Sequence, residues 1–374
     1  MPGMTRSRYI MIGGFLGAGK TTTMLRLAEM LTARGLRVGL ITNDQASGLV
    51  DTSLAKHRDV AVEEIAGGCF CCRFSSLIEA ARHLTVTTRP EVFLAEPVGS
   101  CTDLVATVAL PLQQIYGEQF TVAPFAVLVD PTRALRVLGM EEGRTFPEHV
   151  LYIYGKQLEE AEHIVINKAD TVTPETLALL RSEISRRYPQ AAVHVISARE
   201  GTGVEELLAM LLAGESSPQS VMEVDYARYG VGEAMLGWLN GAADLSGEDF
   251  DGNALLLQLA RAIQQRLAAG GAEVAHLKMV LSPSGEPYEL AACNLVRADA
   301  TPELSHTLAD PLDDATLLIN CRAAGDPEVL RDAVNDALTE TAAHFSVAAT
   351  AGPLEYFKPG QPKPEVRVAE VAAR

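Results

Sequence analysis

Gly14-Phe-Leu-Gly-Ala-Gly-Lys-Thr21 constrains the fold of this chain more than any other stretch. The spacing G-x-x-x-x-G-K-T is entered from the apolar run Arg8-Tyr-Ile-Met-Ile-Gly13 and followed by helical periodicity from Lys20, the order of a strand, a phosphate-binding loop and a helix. Gly14, Gly17 and Gly19 let backbone N–H groups come close to phosphate oxygens, with Ala18 and Thr22 in the same stretch. Lys20 would neutralise charge on the β- and γ-phosphates, and the Thr21 hydroxyl would ligate Mg²⁺. A glycine-rich turn without function is the alternative; the strand before it and the helix after it weigh against that.

Such a loop belongs to an α/β fold, and the rest of the N-terminal half agrees. Apolar, β-rich runs at 8–13, 37–42, 60–65, 92–95, 124–129, 163–166 and 193–196 alternate with helical periodicity at 20–34, 73–87, 101–116, 147–160, 174–187 and 203–213. That alternation predicts a parallel sheet with helices on both faces. At 374 residues the chain exceeds the roughly 250–300 at which a single core stops growing, so a second domain is expected. The polar stretch 214–220 reads as the connection. Beyond it a helix at 252–269, a hairpin of 274–282 and 288–297, a strand at 315–321 and a helix at 326–344 predict a small α+β unit, with a ferredoxin-like arrangement as the candidate. The expected division is 1–216 for the nucleotide domain, 221–358 for the α+β domain and 359–374 for a proline-containing tail, ordered or fraying, without a core of its own.

Asn167-Lys168-Ala169-Asp170 follows the 163–166 run. An aspartate there can accept hydrogen bonds from both N1–H and the exocyclic amine of guanine, a pattern adenine cannot return. Ser197 and Ala198 follow the next strand, where a backbone loop could contact guanine O6. Together these favour GTP over ATP. Glu96 ends the 92–95 strand and so would face the nucleotide from the C-terminal edge of the sheet, holding Mg²⁺ through water, with Gly99 free to sense the γ-phosphate. The plainer reading of Glu96 is a helix-capping acid. Asp44 ends the 37–42 strand in the same geometry and could position the attacking water or bind Mg²⁺, which makes Lys20, Asp44 and Glu96 the candidate catalytic set. Asp51 reads as a solvated loop acid.

Cys69-Phe-Cys-Cys72 puts three thiols into four residues. They can hold a soft or borderline cation such as Zn²⁺ if a fourth ligand comes from elsewhere. The alternatives are a closed zinc staple, buried small hydrophobes, or a strained disulfide between Cys71 and Cys72. Cys101 reads as a loop residue in preference to a fourth ligand, and Cys293 and Cys321 as core. The eight histidines are scattered; His149, His163 and His194 read as capping or packing residues, and Tyr226, Tyr229 and Trp238 as core.

Net charge is 31 − 48 = −17, which repels phosphate backbones and makes nucleic acid a poor partner. No apolar run approaches the ~18 residues needed to span a bilayer. Lys20 and the glycine pattern read as a phosphate loop rather than a secretory signal, so a cytoplasmic location is expected, where cysteines remain thiols or ligands.

With these residues in place, the chain resembles the CobW-type P-loop GTPases, a family that includes metal chaperones and is related to the nickel-insertion GTPases of hydrogenase and urease maturation. The resemblance covers roughly 8–210 and rests on G-G-F-L-G-A-G-K-T-T, E-I-A-G-G-C-F-C-C, E-x-x-G and N-K-x-D in one order. It implies a GTPase, slow without its client, that converts GTP to GDP, binds metal at Cys69, Cys71 and Cys72, and couples hydrolysis to metal transfer into a client metalloprotein or cobalamin-related enzyme. It also implies a smaller C-terminal domain that contacts clients or a second copy in a homodimer. Two departures bear on the metal. Thr42-Asn-Asp-Gln-Ala-Ser47 replaces the usual E-N-E-x-G-E, and Glu96-Pro-Val-Gly-Ser-Cys-Thr-Asp103 replaces E-T-x-G-x-A-D-P. The flanking carboxylates are gone and a thiol, Cys101, is added, so the remaining ligand comes from Asp44, Cys101, water or a client and the metal's identity depends on which; the three thiols suit Zn²⁺, with Co²⁺ and Ni²⁺ as alternatives. Two rival functions follow from the same residues: a GTP switch that activates a client around a purely structural metal, and a P-loop kinase, which the guanine motifs disfavour.

Overall fold

Ser7–Gly14 forms the strand the phosphate loop requires, with Tyr9 to Gly14 buried. Tyr9 and Met11 point into one apolar core and Ile10 and Ile12 into another, because successive side chains of a strand face opposite ways and both faces here are covered by helices. The computed structural model describes residues 6–43, 61–65, 68–218, 220–285 and 289–371.

This strand, β1, sits inside a sheet with β2 (Val38–Asn43), β3 (Ala61–Ile65), β4 (Val92–Glu96), β5 (Phe120–Val122), β6 (Ala126–Val129), β7 (His163–Ile166) and β8 (Ala192–Val195). The order is β3-β2-β4-β1-β6-β7-β8, with β5 beside β1, and the pairs are parallel. Parallel strands place their C-terminal ends on one edge, so Gly14, Asn43, Glu96, Asp130 and Asn167 converge there. The expected strands are present; β5 and a helix at Pro131–Val137 were not foreseen, both being short. The connection is tied down rather than loose: Ser216 N–H donates to Val122 O at 2.9 Å, and Ser217 N–H to Glu162 Oε1 at 2.7 Å.

After the helix Tyr226–Ala234 comes an antiparallel sheet of β9 (Leu236–Phe250), β10 (Glu273–Pro283), β11 (Ala291–Leu295), β12 (Glu303–His306), β13 (Leu312–Ala324) and β14 (Ala348–Phe357), ordered β12-β11-β10-β13-β9-β14. With the β11–β12 hairpin set aside, β9-helix-β10-β13-helix-β14 is the ferredoxin-like arrangement. The helices Gly252–Ala269 and Pro327–His344 cover one face through Leu239, Leu277, Met279, Ile319 and Cys321. Alternate positions of the same strands turn Trp238, Asn240, His276, Lys278, Asn320 and Arg322 to the other face, in register as Lys278–Asn320–Asn240 and His276–Arg322–Trp238. That polar face meets the phosphate loop.

Beyond β14 the chain turns back across the first domain. Pro359 and Pro362 are buried, and from 363 to 368 burial alternates residue by residue, as in an extended strand with one face down. Among the described residues, no helix is long and apolar enough to cross a membrane.

Candidate nucleotide and metal site

The loop after β1 leaves the helix Lys20–Ala33 without a side-chain cap. Its N-cap, Gly19, has φ 89°, and a Cβ there would meet Asn167 Nδ2 at 2.4 Å. Uncapped N–H groups at a helix start are an anion-binding site. A cavity of about 860 Å³ opens in front of them, within the size range of small-ligand pockets. Gly17, Gly19, Lys20, Thr21, Thr22, Glu96, Gly99, Asn167, Lys168, Asp170 and Ala198 line it. Gly14, Ala18 and Ser197 shape it from behind. A Cβ on Gly14 would meet Leu128 O at 2.3 Å, Ala18 O accepts from Asn167 Nδ2 at 3.0 Å, and Ser197 Oγ donates to Asp170 Oδ1 at 2.6 Å. Asp44 and Asp51 lie outside the described residues.

The acid and the hydroxyl expected at a Mg²⁺ are adjacent: Thr21 Oγ1 donates to Glu96 Oε1 at 3.3 Å, and Lys20 Nζ lies 3.8 Å from the same oxygen. That donor set of hydroxyl and carboxylate oxygens suits a hard cation. The Lys168 ammonium spans Gly17 O at 2.7 Å and Asp130 Oδ2 at 2.9 Å. Burial acts to raise Asp130, but Lys168 and Arg133 outweigh it and hold the acid below the usual carboxylate range. Asp130, at the end of β6, was not singled out from the sequence, although an aspartate closing an apolar strand and capping the next helix was the available signal.

The second sheet roofs this cavity. His276, Lys278, Asn294, Val296, Arg297 and Arg322 line it, and Lys278 Nζ donates to Thr21 Oγ1 at 3.1 Å. The buried Arg133 bolts roof to floor: it donates to Leu16 O at 2.8 Å from one amine, and to Ala275 O at 3.2 Å and Val296 O from the other. Sequence reading could not find these residues, because nothing local in β10 or β13 marks which domain they face.

Cys69, Cys71 and Cys72 offer sulfurs that lie within 4.8 Å of one another. Cys69 and Cys71 Sγ are 2.9 Å apart, Cys71 and Cys72 Sγ 3.7 Å. Sulfurs at about 2.3 Å from a tetrahedral Zn²⁺ stand about 3.8 Å apart, so small side-chain movements fit the donors to that ion. Cys101, read from the sequence as a loop residue, is more than that: it is buried in the same core as Cys69 and Cys71, and its thiol bears on the acidity of both. Hydrogen bonds with Cys101, Cys71 and Cys72 hold the Cys69 thiol well below its usual value, while the same bonding pushes Cys71 up. Cys72 is pushed up to about 11 by its bond with Cys69. Cys69 is therefore the most acidic thiol of the group. Burial raises the neighbouring Glu233 to about 8, with the Cys69 charge adding to it, so this acid, which accepts from Ser100 Oγ at 3.0 Å, adds no second anion.

Two short paths join cavity and cysteines. Asn43, at the end of β2 and on the cavity wall, takes Phe70 N–H on its oxygen at 2.8 Å and donates to Ile65 O at 2.9 Å and Gly68 O at 2.7 Å. The stretch from Glu96 through Gly99 runs directly into Cys101, and Gln157 Nε2 clamps Gly99 O at 3.0 Å and Cys101 O at 2.8 Å. The tail covers the outer side: Lys363 N–H donates to Cys72 Sγ at 3.2 Å and Glu365 N–H to Cys71 O at 3.0 Å. Glu365 also caps the helix Phe74–Thr87 through Ser75 N–H and Oγ, both at 2.8 Å.

Residues 8–195 match the family model described as "CobW/HypB/UreG, nucleotide-binding domain". The chain belongs to the CobW/HypB/UreG family. Similar proteins are "Zinc chaperone CobW" of Pseudomonas aeruginosa, 27% identical over 51% of this chain and 56% of that protein, and "Zinc chaperone YeiR" of Escherichia coli K12, 27% identical over 46% of this chain and 49% of that protein. The matched part thus spans about half the length of these curated relatives. Among solved structures the chain is similar to the Zn(II)-bound YjiA GTPase of E. coli, at 13% identity over 91% of this chain and 99% of that one, with a TM-score of 0.39. His163 and His194 pack as expected in this member of the CobW/HypB/UreG family, with His163 Nδ1 and His194 Nε2 2.8 Å apart. Trp238 and Tyr229 are buried as expected.

Proposed function

We propose that this chain is a cytoplasmic GTP-hydrolysing metallochaperone, in which nucleotide state sets the affinity of the Cys69–Cys72 site for a Zn²⁺ cargo delivered to a client metalloprotein. The observation that carries this reading is the continuity of Glu96, Gly99 and Cys101. One six-residue stretch begins at the hydroxyl expected to hold Mg²⁺ and ends beside the Cys69 thiol. Lys20 and the loop N–H groups would bind the phosphates, Thr21 and Glu96 would hold Mg²⁺, and Asp170, braced by Ser197, would select guanine. Bound Mg²⁺ would supply charge neutralisation across the β- and γ-oxygens. A change at Gly99 when the γ-phosphate leaves would pass to Cys101 and so alter hydrogen bonding at Cys69. Asp44 remains a proposed partner of the attacking water.

A second reading, a GTP switch with a static zinc, is favoured by the burial of Cys69, Cys71 and Cys101, since closed structural sites exclude solvent. The two readings differ in what a cysteine variant loses. Under the chaperone reading, purified protein hydrolyses GTP and not ATP, Lys20→Ala abolishes hydrolysis, and Cys71→Ser weakens zinc binding at least about tenfold while GDP still binds and the fold persists. Cys71→Ser with full zinc affinity and full transfer to a client contradicts the chaperone reading; unfolding on loss of zinc supports the static one.

A further inference from the structure

We infer that Lys278, on the second sheet, is a γ-phosphate ligand, so that the ferredoxin-like domain senses nucleoside triphosphate directly and not only through the cysteine segment. This rests on the reading of the cavity as the nucleotide site.

Lys278 Nζ is 3.1 Å from Thr21 Oγ1, and that hydroxyl is 3.3 Å from Glu96 Oε1. Loop N–H groups enclose the α- and β-phosphates from below, so the γ-phosphate projects towards the Glu96 and Gly99 side. Lys278 approaches from that side. Thr21 and Glu96 would hold a Mg²⁺ that neutralises phosphate charge, and a γ-phosphate beside that hydroxyl would lie within one side-chain adjustment of the ammonium.

The approach is built, not incidental. A Cβ on Gly17 would meet the Val296 side chain at 3.1 Å and Ala275 O at 3.2 Å, so β10 and the residues after β11 rest on the phosphate loop itself. Arg133 holds both in place through Leu16 O, Ala275 O and Val296 O. Around Lys278 the face is polar, with Asn294 on β11 and Asn320 on β13 in register beside it. The half-buried His276, two residues earlier, has its imidazole pushed well below the usual range by burial and by Lys278, Lys20, Lys168 and Arg322 around it. Four cations converging on one buried volume suit a polyanion.

A contact made to the γ-phosphate alone gives the second sheet a differential affinity for the two nucleotide states, the requirement for any coupled movement. The test is equilibrium binding of a fluorescent GDP and a fluorescent non-hydrolysable GTP analogue, with Mg²⁺, to the full chain, Lys278→Ala and Lys278→Arg. Lys278→Ala is expected to weaken the triphosphate about 10- to 100-fold and the diphosphate by no more than about twofold, with Lys278→Arg recovering part of the loss. The unchanged diphosphate affinity reports that the variant is folded. Equal losses for both nucleotides, or no loss, overturn the inference and leave the nucleotide site standing. A wild-type chain that binds neither nucleotide overturns both.

Discussion

Asp170 and Glu160 make opposite uses of a carboxylate. Asp170 is exposed in the cavity wall and held by Ser197, where the proposed reading has it accept from two guanine donors. Replacing it by Asn leaves one acceptor and adds a donor facing N1–H; GTP affinity is expected to fall about a hundredfold or more, measured by titration. Glu160 is buried, accepts from Thr102 Oγ1 and Val105 N–H at 3.0 Å each, and is pushed up to about 8 by burial. The folded state therefore keeps a proton that the unfolded chain releases above its ordinary value of 4.5. Its contribution to stability is full below that value and is lost as pH rises through about 8. Urea unfolding of Glu160→Gln at pH 6 and pH 9 should show the alkaline loss reduced by about 2 kcal/mol relative to wild type. At this scale the residues legible in the sequence were those with local signatures: the phosphate-loop glycines, Lys20, Thr21, Asp170 and the cysteines. Asn43, Asp130, Arg133 and Lys278 were not, because each acts by meeting residues 25 to 257 positions away.

Among the elements, the parallel strands were readable because burial on both faces makes them continuously apolar, as in β1, β6 and β7. β9 and β14 were missed for the converse reason. Leu236–Phe250 carries three glycines and three acids, and Ala348–Phe357 is an exposed edge interrupted at Gly352-Pro353; in both, pairing with neighbours overrides weak propensity. The tail was expected as at most an ordered end, and its sequence does show Pro-x-x-Pro-x-Pro followed by alternating valines. It acts as a strap because Val366 and Val368 find an apolar seat and Arg367 finds Asp103 at 2.7 Å. Val368 N–H takes the carbonyl of Ala106, within the π-helical turn Val105–Ala109, where widened bonding leaves such groups available. Deleting 360–374 removes the Lys363 N–H from Cys72 and uncovers the cysteines. Zinc loss to a chelator in stopped-flow is expected to speed up about tenfold, with GDP affinity unchanged; an unaltered rate would mean the strap does not guard the site.

For the whole molecule, what matters is that the two sheets share one cavity. The family relation and the α/β order were readable from the first 200 residues, and the ferredoxin-like unit in outline from 252–344. Its placement over the phosphate loop was not, since no pattern within one domain specifies the face it offers to another. On the proposed reading, that placement would give the nucleotide two listeners: the second sheet through Lys278 and Arg133, and the cysteine cluster through Asn43 and the Glu96–Cys101 stretch. Coupling of this kind must be reciprocal, so whatever factor GTP applies to zinc affinity, zinc applies to GTP affinity. The most direct measurement is zinc affinity by competition with a chromophoric chelator, in the presence of GDP and of a non-hydrolysable GTP analogue. The two affinities are predicted to differ by about tenfold or more, with the mirrored shift in triphosphate affinity when zinc is added; equal zinc affinity in both states would contradict a nucleotide-controlled metal site and leave the zinc a structural ion.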